Sequence, residues 1–264
     1  MICARHTAFT PMTEELFRED ASLESCEAVV LGIDERGVRL DRTVFYPLGG
    51  GQAGDRGELI LPGGEVLRIE DTRKGLMPGE ILHVAAPGQE ALLARIVPNQ
   101  RVRALIDMER RQRHMRFHTA THLLCALVPH QVNGCSITAD YARLDFHMTE
   151  PLDKEALTAG LARLVGEAHA VSHRWISEAE LDANPGLVRS MSVQPPRGLG
   201  RIRVLEIADV DLQPCGGTHV ANTSAIGRVV VTKIEKKSAA TRRVVLGWAD
   251  ASTMSGNSGG DRSA

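Results

Sequence analysis

The sequence predicts an α+β protein in which a small antiparallel β barrel is followed by a domain of helices on a mostly antiparallel sheet. Short apolar runs between glycine- and proline-containing turns come first, a helical stretch without glycine or proline lies at residues 107–128, and strand-like runs return after residue 200. This order of periodicities is typical of two successive domains. We place the barrel at residues 1–98, the second domain at residues 99–250 and a disordered tail at residues 251–264.

The barrel is predicted from short apolar runs that are bounded by turn residues. The predicted strands are residues 27–33, 38–45, 57–61, 66–70 and 81–84. The turns between them contain Gly37, the Pro62-Gly63-Gly64 run and the Pro78-Gly79 pair. Many short strands at this spacing are typical of a small barrel, and the Pro98-Asn99-Gln100 segment marks its expected end.

The second domain is predicted from helix-start and helix-stop signals. Pro129 ends the helix that runs from residue 107, and Asp153 can cap a second helix that runs to about residue 170. Ser177, followed three residues later by Glu180, forms a capping box for a short third helix before Pro185. Strands are predicted at residues 201–207, 227–234 and 242–246. The tail is rich in serine and glycine, a composition that favours disorder.

The composition limits the classes to which the chain can belong. With 264 residues and 43% hydrophobic side chains the chain can bury a core, but only 3% are aromatic, so the core must be aliphatic and few platforms exist for stacking bases. The net charge of -2 does not predict a polyanionic partner. Five scattered cysteines argue against a disulfide framework. We find neither a long apolar run nor a signal-peptide pattern, so we expect no membrane span and a cytoplasmic location.

The first of two metal-binding motifs lies on the predicted helix. His118 and His122 are four residues apart, so both imidazoles face the same side of the helix. A chain with ten histidines gives some pairs at this spacing by chance, and His114 with His118 is another. The pair alone therefore does not define a metal site.

The second motif makes the prediction specific. Cys215 and His219 are also four residues apart, and Gly216 and Gly217 between them favour a loop in which the backbone approaches closely. One thiolate and three imidazoles form a donor set that zinc accepts in tetrahedral geometry. We therefore predict one zinc ion per chain, bound by His118, His122, Cys215 and His219. In the alternative, Cys215 is only a buried residue and His219 only a hydrogen-bonding one, which leaves the glycine pair without a role.

The residue after the first histidine argues against a protease. Zinc protease helices carry glutamate there as the general base, whereas this chain has Thr119. Four protein ligands normally close a zinc shell, although a catalytic zinc needs an open position. One ligand could be loose, the ion could take a fifth ligand, or zinc could position the substrate while a water molecule elsewhere attacks. The sequence leaves these alternatives open and assigns no general base.

The two metal motifs, at residues 118–124 (HTATHLL) and 215–220 (CGGTHV), resemble the paired signatures of the alanyl-tRNA editing domain. This domain occurs in alanyl-tRNA and threonyl-tRNA synthetases and in free-standing AlaX proteins. Further matches in the expected order are residues 143–146 (RLDF), Ile226-Gly227 and Arg242-Arg243. A glycine-rich motif at residues 45–57 (FYPLGGGQAGDRG) resembles that of the longer AlaX forms. The resemblance thus covers residues 27 to 248.

The resemblance implies hydrolysis of the ester of tRNA-Ala that carries serine or, in some forms, glycine, by a zinc-binding editing domain at residues 99–250. It also implies that Asn133 takes the place of the threonine or glutamine that recognises the serine hydroxyl. This is a departure, because asparagine offers a donor and an acceptor but has a different reach. Cys135 replaces a glycine and adds bulk beside the pocket. The substrate-binding candidates are Asn133, Ser136, Gly49, Gly50, Gly51, Gln52, Gly216 and Gly217.

Editing at a second site has a physical reason. A synthetase pocket for alanine cannot strongly exclude glycine, and the extra hydroxyl of serine changes binding by a few kcal/mol at most. An editing site that hydrogen-bonds this hydroxyl accepts serine and rejects alanine, which would leave a buried polar group unpaired. Ester cleavage is also easier than amide cleavage, so the lack of a strong general base is tolerable.

Local basic clusters are predicted to contact the phosphates of the acceptor end of tRNA-Ala. They are Arg101, Arg103, Arg110, Arg111, Arg113 and Arg116, then Arg197, Arg201 and Arg203, and finally Lys233, Lys236, Lys237, Arg242 and Arg243. The alternative is an ordinary solvated face, paired with acidic neighbours. The Gly49-Gly50-Gly51 turn offers backbone N–H groups to a phosphate, or is only a tight turn. It lacks the lysine ending of a P-loop, so no ATP site is predicted.

Three functions are compatible with these patterns. The preferred one is a free-standing zinc-dependent hydrolase of misacylated tRNA-Ala, which at this length is not expected also to charge tRNA. The second is a tRNA-binding module with a structural zinc that assists a synthetase. The third is a zinc hydrolase of another small ester. The oligomeric state is not predicted.

Overall fold

The structure is a computed structural model that describes residues 12–191, 194–195, 197–198 and 200–249. The chain divides into two compact units, residues 1–112 and 113–264. The first unit contains a closed antiparallel barrel, and the second combines helices with antiparallel sheets, which confirms the predicted fold class. The predicted tail lies outside the described residues.

The barrel closes six strands of the first unit on one another. The elements of this unit are β1 (Glu14–Glu15), β2 (Ser25–Asp34), β3 (Gly37–Leu40), β4 (Arg42–Thr43), β5 (Gly57–Ile60), β6 (Val66–Lys74), β7 (Ile81–Ala85), α1 (Glu90–Leu93) and β8 (Arg101–Ile106). The strand order around the barrel is β2-β3-β7-β6-β5-β8, and each described pair is antiparallel. β1 and β4 form a separate parallel pair. Closure removes the free strand edges that an open sheet would expose.

The last barrel strand, β8, begins after the domain limit that the sequence analysis places at residue 98. It pairs with β2 on one side and with β5 on the other. Asn99, at a positive φ of 66°, donates its N–H to the Val30 carbonyl at 2.8 Å. The Pro98-Asn99-Gln100 segment is thus a turn that leads into β8. The exact domain limits stay a prediction.

The barrel core is aliphatic, as the low aromatic content predicts. Buried and exposed residues alternate along β6 and through most of β8, because successive side chains of a strand point to opposite faces. Most of the inward side chains pack into one cluster, and Ile81 on β7 packs in a second one with Phe17 and Tyr46. The fully buried members of the first cluster include Val30, Val38, Leu40, Leu59 and Leu67.

His83, on β7, is a histidine with no exposed surface in the first unit. Its Nδ1 donates to the Val38 carbonyl at 3.0 Å. With its one proton on Nδ1, the neutral ring accepts at Nε2 from the Thr43 hydroxyl at 2.8 Å, and the Thr43 oxygen accepts the Phe45 N–H at 3.0 Å. Burial lowers the pKa of His83 to about 4, against a smaller opposing effect of the Val38 carbonyl. The ring is therefore held neutral.

Acidification is expected to destabilise the barrel through His83. A buried base whose folded-state pKa lies below its unfolded value of 6.5 stabilises the fold fully above pH 6.5, and this contribution is lost as the pH falls toward 4. The loss should reach about 3 kcal/mol across that window. Urea unfolding followed by circular dichroism at several pH values measures it. The variant His83→Gln should make the free energy of unfolding less dependent on pH between 6.5 and 4. The control His147→Gln, at an exposed position, should not change this dependence. Equal slopes in all three proteins would contradict the prediction.

The second unit contains two antiparallel sheets. Its elements are α2 (Met108–Leu127), which begins in the first unit, β9 (Val132–Ile137), β10 (Tyr141–His147), α3 (Lys154–Gly166), β11 (Val171–Ser177), α4 (Glu178–Ala183), β12 (Arg201–Ile207), β13 (Asp211–Pro214), β14 (Val229–Ser238) and β15 (Thr241–Trp248). One sheet has the order β14-β15-β10-β9, and the other has the order β11-β12-β13. Within the described residues, no helix combines the length and the apolar character needed to cross a membrane.

Capping hydrogen bonds confirm two predicted helix starts. Asp153 accepts the Ala156 N–H at 2.9 Å at the beginning of α3. Ser177 and Glu180 form the predicted capping box of α4. α3 ends at Gly166, before the predicted limit near residue 170, because Ala168 adopts a left-handed φ of 57° that a helix cannot contain.

α2 carries the histidine pair and is buried on all sides in its second half. Asp107 stands before the helix and accepts the Arg110 N–H at 3.0 Å, as a capping residue does. Every residue from Phe117 to Cys125 is buried. Polar side chains in this stretch, such as His118 and His122, therefore need partners inside the protein.

Candidate metal centre

The two sequence motifs meet in the second unit. His118 and His122 lie on α2, and Cys215 and His219 lie in the loop that follows β13. Each side chain offers one ligand atom, and these four atoms lie within 4.8 Å of one another. The three histidines are buried and Cys215 is partly buried. The fold thus brings together four side chains that are distant in the sequence.

The spacing of this cluster fits a tetrahedral metal ion. Cys215 Sγ lies 3.5 Å from His118 Nε2 and 3.2 Å from His219 Nε2. A tetrahedron with zinc–sulfur and zinc–nitrogen bonds of ~2.3 and ~2.0 Å has a sulfur–nitrogen edge of about 3.5 Å. The ring centroids of His118 and His122 are 5.6 Å apart, as expected for side chains one helical turn apart. The four residues can therefore hold a metal ion, and their sulfur and nitrogen donors suit zinc.

Electrostatics favour the ligand forms of Cys215 and His219. Burial raises the pKa of the Cys215 thiol, but the neighbouring His118 and His219 outweigh burial and lower it well below its usual value. Burial, followed by the charge of His118, lowers the pKa of His219 well below its usual value. A thiolate and a neutral imidazole are the forms in which these side chains bind metals.

The other described cysteines have the opposite character. Burial raises the pKa of Cys125 and of Cys135 to about 12, and it also raises the pKa of Cys26. These thiols stay protonated at neutral pH and are poor metal ligands. Cys215 is thus the described cysteine that is prepared to bind a metal, and Cys3 lies outside the described residues.

A buried carboxylate, Asp211, contacts the metal-ligand candidate His122. Asp211 Oδ2 lies 2.9 Å from His122 Nδ1, and the Asp211 side chain has no exposed surface. The Gln213 side-chain amide donates to both carboxylate oxygens at 2.9 Å. Burial lowers the pKa of His122, but hydrogen bonds to Asp211 and Cys215 outweigh burial and raise it to about 10. Asp211 was not predicted from the sequence, where its signal is a carboxylate two residues before Gln213 on a short strand.

Thr119, between the two helix histidines, contacts the third histidine. Its hydroxyl donates to the Met115 carbonyl at 2.8 Å and accepts the Val220 N–H at 3.3 Å. The same oxygen lies 3.3 Å from His219 Nδ1. Thr119 is fully buried, and these hydrogen bonds link the helix to the loop that carries Cys215 and His219. Its hydroxyl is not a carboxylate, so it cannot replace the general base of a zinc protease.

Arg203, on β12, holds the loop that carries Cys215. Its Nη1 donates to the Cys215 carbonyl at 2.9 Å and to the Gly217 carbonyl at 3.1 Å. The Cys215 N–H donates in turn to the Arg203 carbonyl at 3.1 Å. The sequence analysis grouped Arg203 with the RNA-facing basic residues, but the side chain is buried and its Nη1 binds the loop.

Two more of the predicted RNA-facing arginines are buried. Arg111 has no exposed surface and donates to the Val44 carbonyl at 2.6 Å. Arg242 is 8% exposed and donates to the Ser238 carbonyl at 3.1 Å. These arginines bind backbone carbonyls and are not available to phosphates. The exposed members of the group include Arg101, Arg103, Lys233, Lys236 and Lys237.

The glycine-rich motif forms a tight turn in the first unit. Gly49 and Gln52 exchange backbone hydrogen bonds at 3.1 and 2.9 Å. Gly50 and Gly51, between them, have φ values of 57° and 87°, which only glycine adopts readily in succession. Turn geometry is therefore sufficient to explain these glycines, and a role of the turn in substrate binding stays a prediction.

Asn133 and Ser136 lie on β9, in the second unit. Asn133 is half-buried and is the extra residue of a β-bulge opposite β10. Its amide donates to the Thr241 hydroxyl at 3.4 Å. Ser136 pairs with Arg143 on β10. Bulges often direct a side chain next to an active site, but contact of either residue with a substrate stays a prediction.

Comparisons with known proteins define first the class of the protein. A model of the threonyl and alanyl tRNA synthetase second additional domain matches residues 202–245, which contain Cys215 and His219. The alanyl-tRNA editing protein AlaX-M of Methanosarcina acetivorans is 32% identical over 240 residues, which cover 88% of this chain and 98% of that protein. The AlaX-M protein of Saccharolobus solfataricus is 32% identical with the same coverage.

The chain belongs to the AlaX-M family of alanyl-tRNA editing proteins. This membership confirms the resemblance drawn from the sequence motifs. The chain is also 33% identical over 252 residues to the alanine–tRNA ligase of Pyrococcus abyssi, which covers 91% of this chain but only 26% of the ligase. The chain thus corresponds to one part of that much longer protein.

Proposed function

We propose that this chain is a free-standing, zinc-dependent deacylase that hydrolyses the ester of tRNA-Ala charged with serine, with the glycine ester as a second substrate. AlaX editing proteins are aminoacyl-tRNA deacylases. The observation that carries the proposal is the buried cluster of His118, His122, Cys215 and His219, whose spacing fits one zinc ion. A cytoplasmic location and binding to the acceptor end of tRNA are parts of the same proposal.

The side chains of the second unit have distinct parts in this mechanism. The three imidazoles and the Cys215 thiolate would hold the zinc ion, which when bound supplies Lewis acidity at the ester. The Asn133 amide would hydrogen-bond the hydroxyl of a seryl group, whereas an alanyl group offers it no such partner. Exposed lysines on β14, such as Lys233 and Lys236, would contact backbone phosphates, which makes binding sensitive to salt.

A second candidate is a tRNA-binding module with a structural zinc. The observation that favours it is the donor set itself, because four protein ligands are typical of closed, structural zinc sites. In that case the ion would stabilise the loop after β13 and a partner synthetase would supply the chemistry.

Deacylation assays separate these candidates. Hydrolysis of Ser-tRNA-Ala, Gly-tRNA-Ala and correctly charged Ala-tRNA-Ala would be compared at equal enzyme concentration. We expect the serine ester to be cleaved fastest and the alanine ester slowest. Tight tRNA binding without cleavage of any of the three would favour the binding module. Cleavage of small free esters alone would favour a hydrolase with another substrate.

Replacing Asn133 by alanine is expected to narrow the preference for serine over alanine. Loss of one hydrogen bond to the seryl hydroxyl, worth about 1 kcal/mol, should lower the ratio of kcat/KM for the two esters by about fivefold. The control is Asn184→Ala, since Asn184 is an exposed asparagine at the end of α4. If the ratio of kcat/KM for the serine and alanine esters is the same in Asn133→Ala as in the control, Asn133 does not contribute to this specificity.

A further inference from the structure

We propose that Asp211 and Thr119 are positioning residues of the metal centre, which fix the tautomers of His122 and His219 so that Nε2 of each ring faces the ion. The inference rests on the proposed zinc site and extends it to two side chains that do not touch the metal. It concerns which ring nitrogen carries the proton, a property that metal affinity depends on.

Asp211 determines the tautomer of His122. A carboxylate can only accept hydrogen bonds, so His122 Nδ1, 2.9 Å from Asp211 Oδ2, must carry the proton. Nε2 is then the ring nitrogen that faces the ion. Gln213 donates to both oxygens of Asp211, and the guanidinium of Arg189 lies 3.6 Å from Oδ1. These contacts hold the fully buried carboxylate in one orientation, and its negative charge makes His122 a stronger ligand.

Thr119 determines the tautomer of His219 by a different route. A hydroxyl has one hydrogen, and that of Thr119 is donated to the Met115 carbonyl at 2.8 Å. Toward His219 Nδ1, at 3.3 Å, the Thr119 oxygen can therefore only accept. Nδ1 then carries the proton, and Nε2 is free to bind the ion beside Cys215 Sγ, from which it lies 3.2 Å. In both His122 and His219, Nδ1 carries a proton and Nε2 faces the ion.

The two residues also join parts of the chain that are distant in sequence. Asp211 belongs to β13 and contacts a helix residue 89 positions earlier. Thr119 belongs to α2 and contacts a loop residue 100 positions later. The helix of the first motif therefore orients a ligand of the second, and the strand before the second motif orients a ligand of the first, so both supports require the helix to be packed against β13 and its loop.

The test measures zinc affinity by competition with a chelator, together with the visible spectrum of the cobalt-substituted protein, which reports ligand geometry. Asp211→Ala is expected to weaken zinc binding about 10- to 100-fold, and the isosteric Asp211→Asn less. Asp209→Asn removes the same charge two residues away, at an exposed position whose φ of 61° asparagine tolerates. This control should bind zinc as the unaltered protein does.

A second pair of variants isolates the Thr119 hydroxyl. Thr119→Val keeps the shape but removes the acceptor, and should weaken zinc binding and shift the cobalt spectrum. Thr119→Ser keeps the hydroxyl and should restore both. If Thr119→Ser binds as weakly as Thr119→Val, keeping the hydroxyl does not keep the zinc affinity, and the role of the Thr119 hydroxyl is overturned.

The outcomes distinguish this inference from the metal site on which it rests. If Asp211→Ala and Thr119→Val bind zinc as tightly as Asp209→Asn, with unchanged cobalt spectra, the positioning roles are overturned and the zinc site stands. If the unaltered protein binds neither metal, both the proposed zinc site and this inference are overturned. Weakened binding in Asp211→Ala and Thr119→Val, with unchanged binding in Asp209→Asn and Thr119→Ser, supports both.

Discussion

Replacing Cys215 by alanine is expected to leave the purified protein without bound zinc and to lower hydrolysis of Ser-tRNA-Ala by about a hundredfold or more. Cys215 is the sulfur donor of the cluster, and its thiolate form is favoured by His118 and His219. Without it, three imidazoles remain, a set that has lost the negatively charged ligand. A hundredfold loss corresponds to about 2.7 kcal/mol of transition-state stabilisation, within what a Lewis-acid metal supplies.

Metal analysis and single-turnover deacylation measure the two effects of Cys215→Ala separately. Cys26→Ala is the matched control, because it makes the same chemical change at a cysteine whose pKa burial raises. It should keep both zinc and activity. Full zinc content in Cys215→Ala would remove the ligand assignment. Loss of zinc with activity retained would instead show that hydrolysis does not need the ion, and the zinc dependence of the proposed deacylase would be overturned.

The burial of the cluster explains how one zinc ion could serve both a structural role and a role in hydrolysis. α2 is buried from Phe117 to Cys125, so its polar side chains are stable there only if they are paired. A metal ion, supported by Asp211 and Thr119, would satisfy these groups and would also fix the loop of Cys215. Loss of the ion is therefore expected to affect both folding and activity.

Sequence periodicity located the elements whose signals are local. β12 matches the predicted strand at residues 201–207, and the caps Asp153 and Ser177 begin the predicted helices. The two-residue β1 and the strands β8, β9, β10, β11 and β13 were missed. β9 contains asparagine, glycine and serine, and β13 is four residues long and ends in proline, so these strands depend on pairing with their neighbours.

The candidate site shows the same division between local and long-range information. The four ligand candidates were predictable because each pair has a spacing of four residues and a donor type that zinc accepts. Asp211, Thr119 and Arg203 were not predictable as supporting residues, because their contacts arise from β12–β13 pairing and helix–loop packing. Arg111 and Arg203 were assigned to an RNA-facing group for a related reason: charge is visible in the sequence, but burial is not.

Breaking the ion pair between Arg111 and Asp55 is expected to destabilise the first unit by about 3–5 kcal/mol. Both side chains are fully buried, with exposed fractions of 0% and 1%. Arg111 Nε lies 2.9 Å from Asp55 Oδ2, and Arg111 Nη2 contacts the same oxygen. Asp55 also accepts the Tyr46 N–H at 2.6 Å. Removing one partner therefore leaves an uncompensated charge in the protein interior.

Asp55 belongs to the glycine-rich motif, so its ion pair with Arg111 gives this motif a role in the structure of the first unit. A Cβ at Gly54 would lie 2.2 Å from the Thr72 carbonyl, so the backbone before Asp55 can approach β6 only because Gly54 lacks a side chain. The motif thus places the Asp55 carboxylate beside Arg111, near the start of α2. We infer that part of the motif serves the folding of the barrel unit, whatever its turn contributes to substrate binding.

Three variants measure the energy of the pair by urea unfolding, with hydrogen exchange of the barrel strands to assign the loss to the first unit. Asp55→Asn and Arg111→Met should each lower the free energy of unfolding by about 3–5 kcal/mol, because each leaves the other charge buried. The double variant should be more stable than the sum of the two losses predicts, since no charge remains buried. Arg95→Met, which breaks the exposed pair with Glu65, should leave stability nearly unchanged. Strict additivity of the two single losses would show that the side chains do not interact, and the stabilisation would then belong to their separate bonds with Tyr46 and Val44.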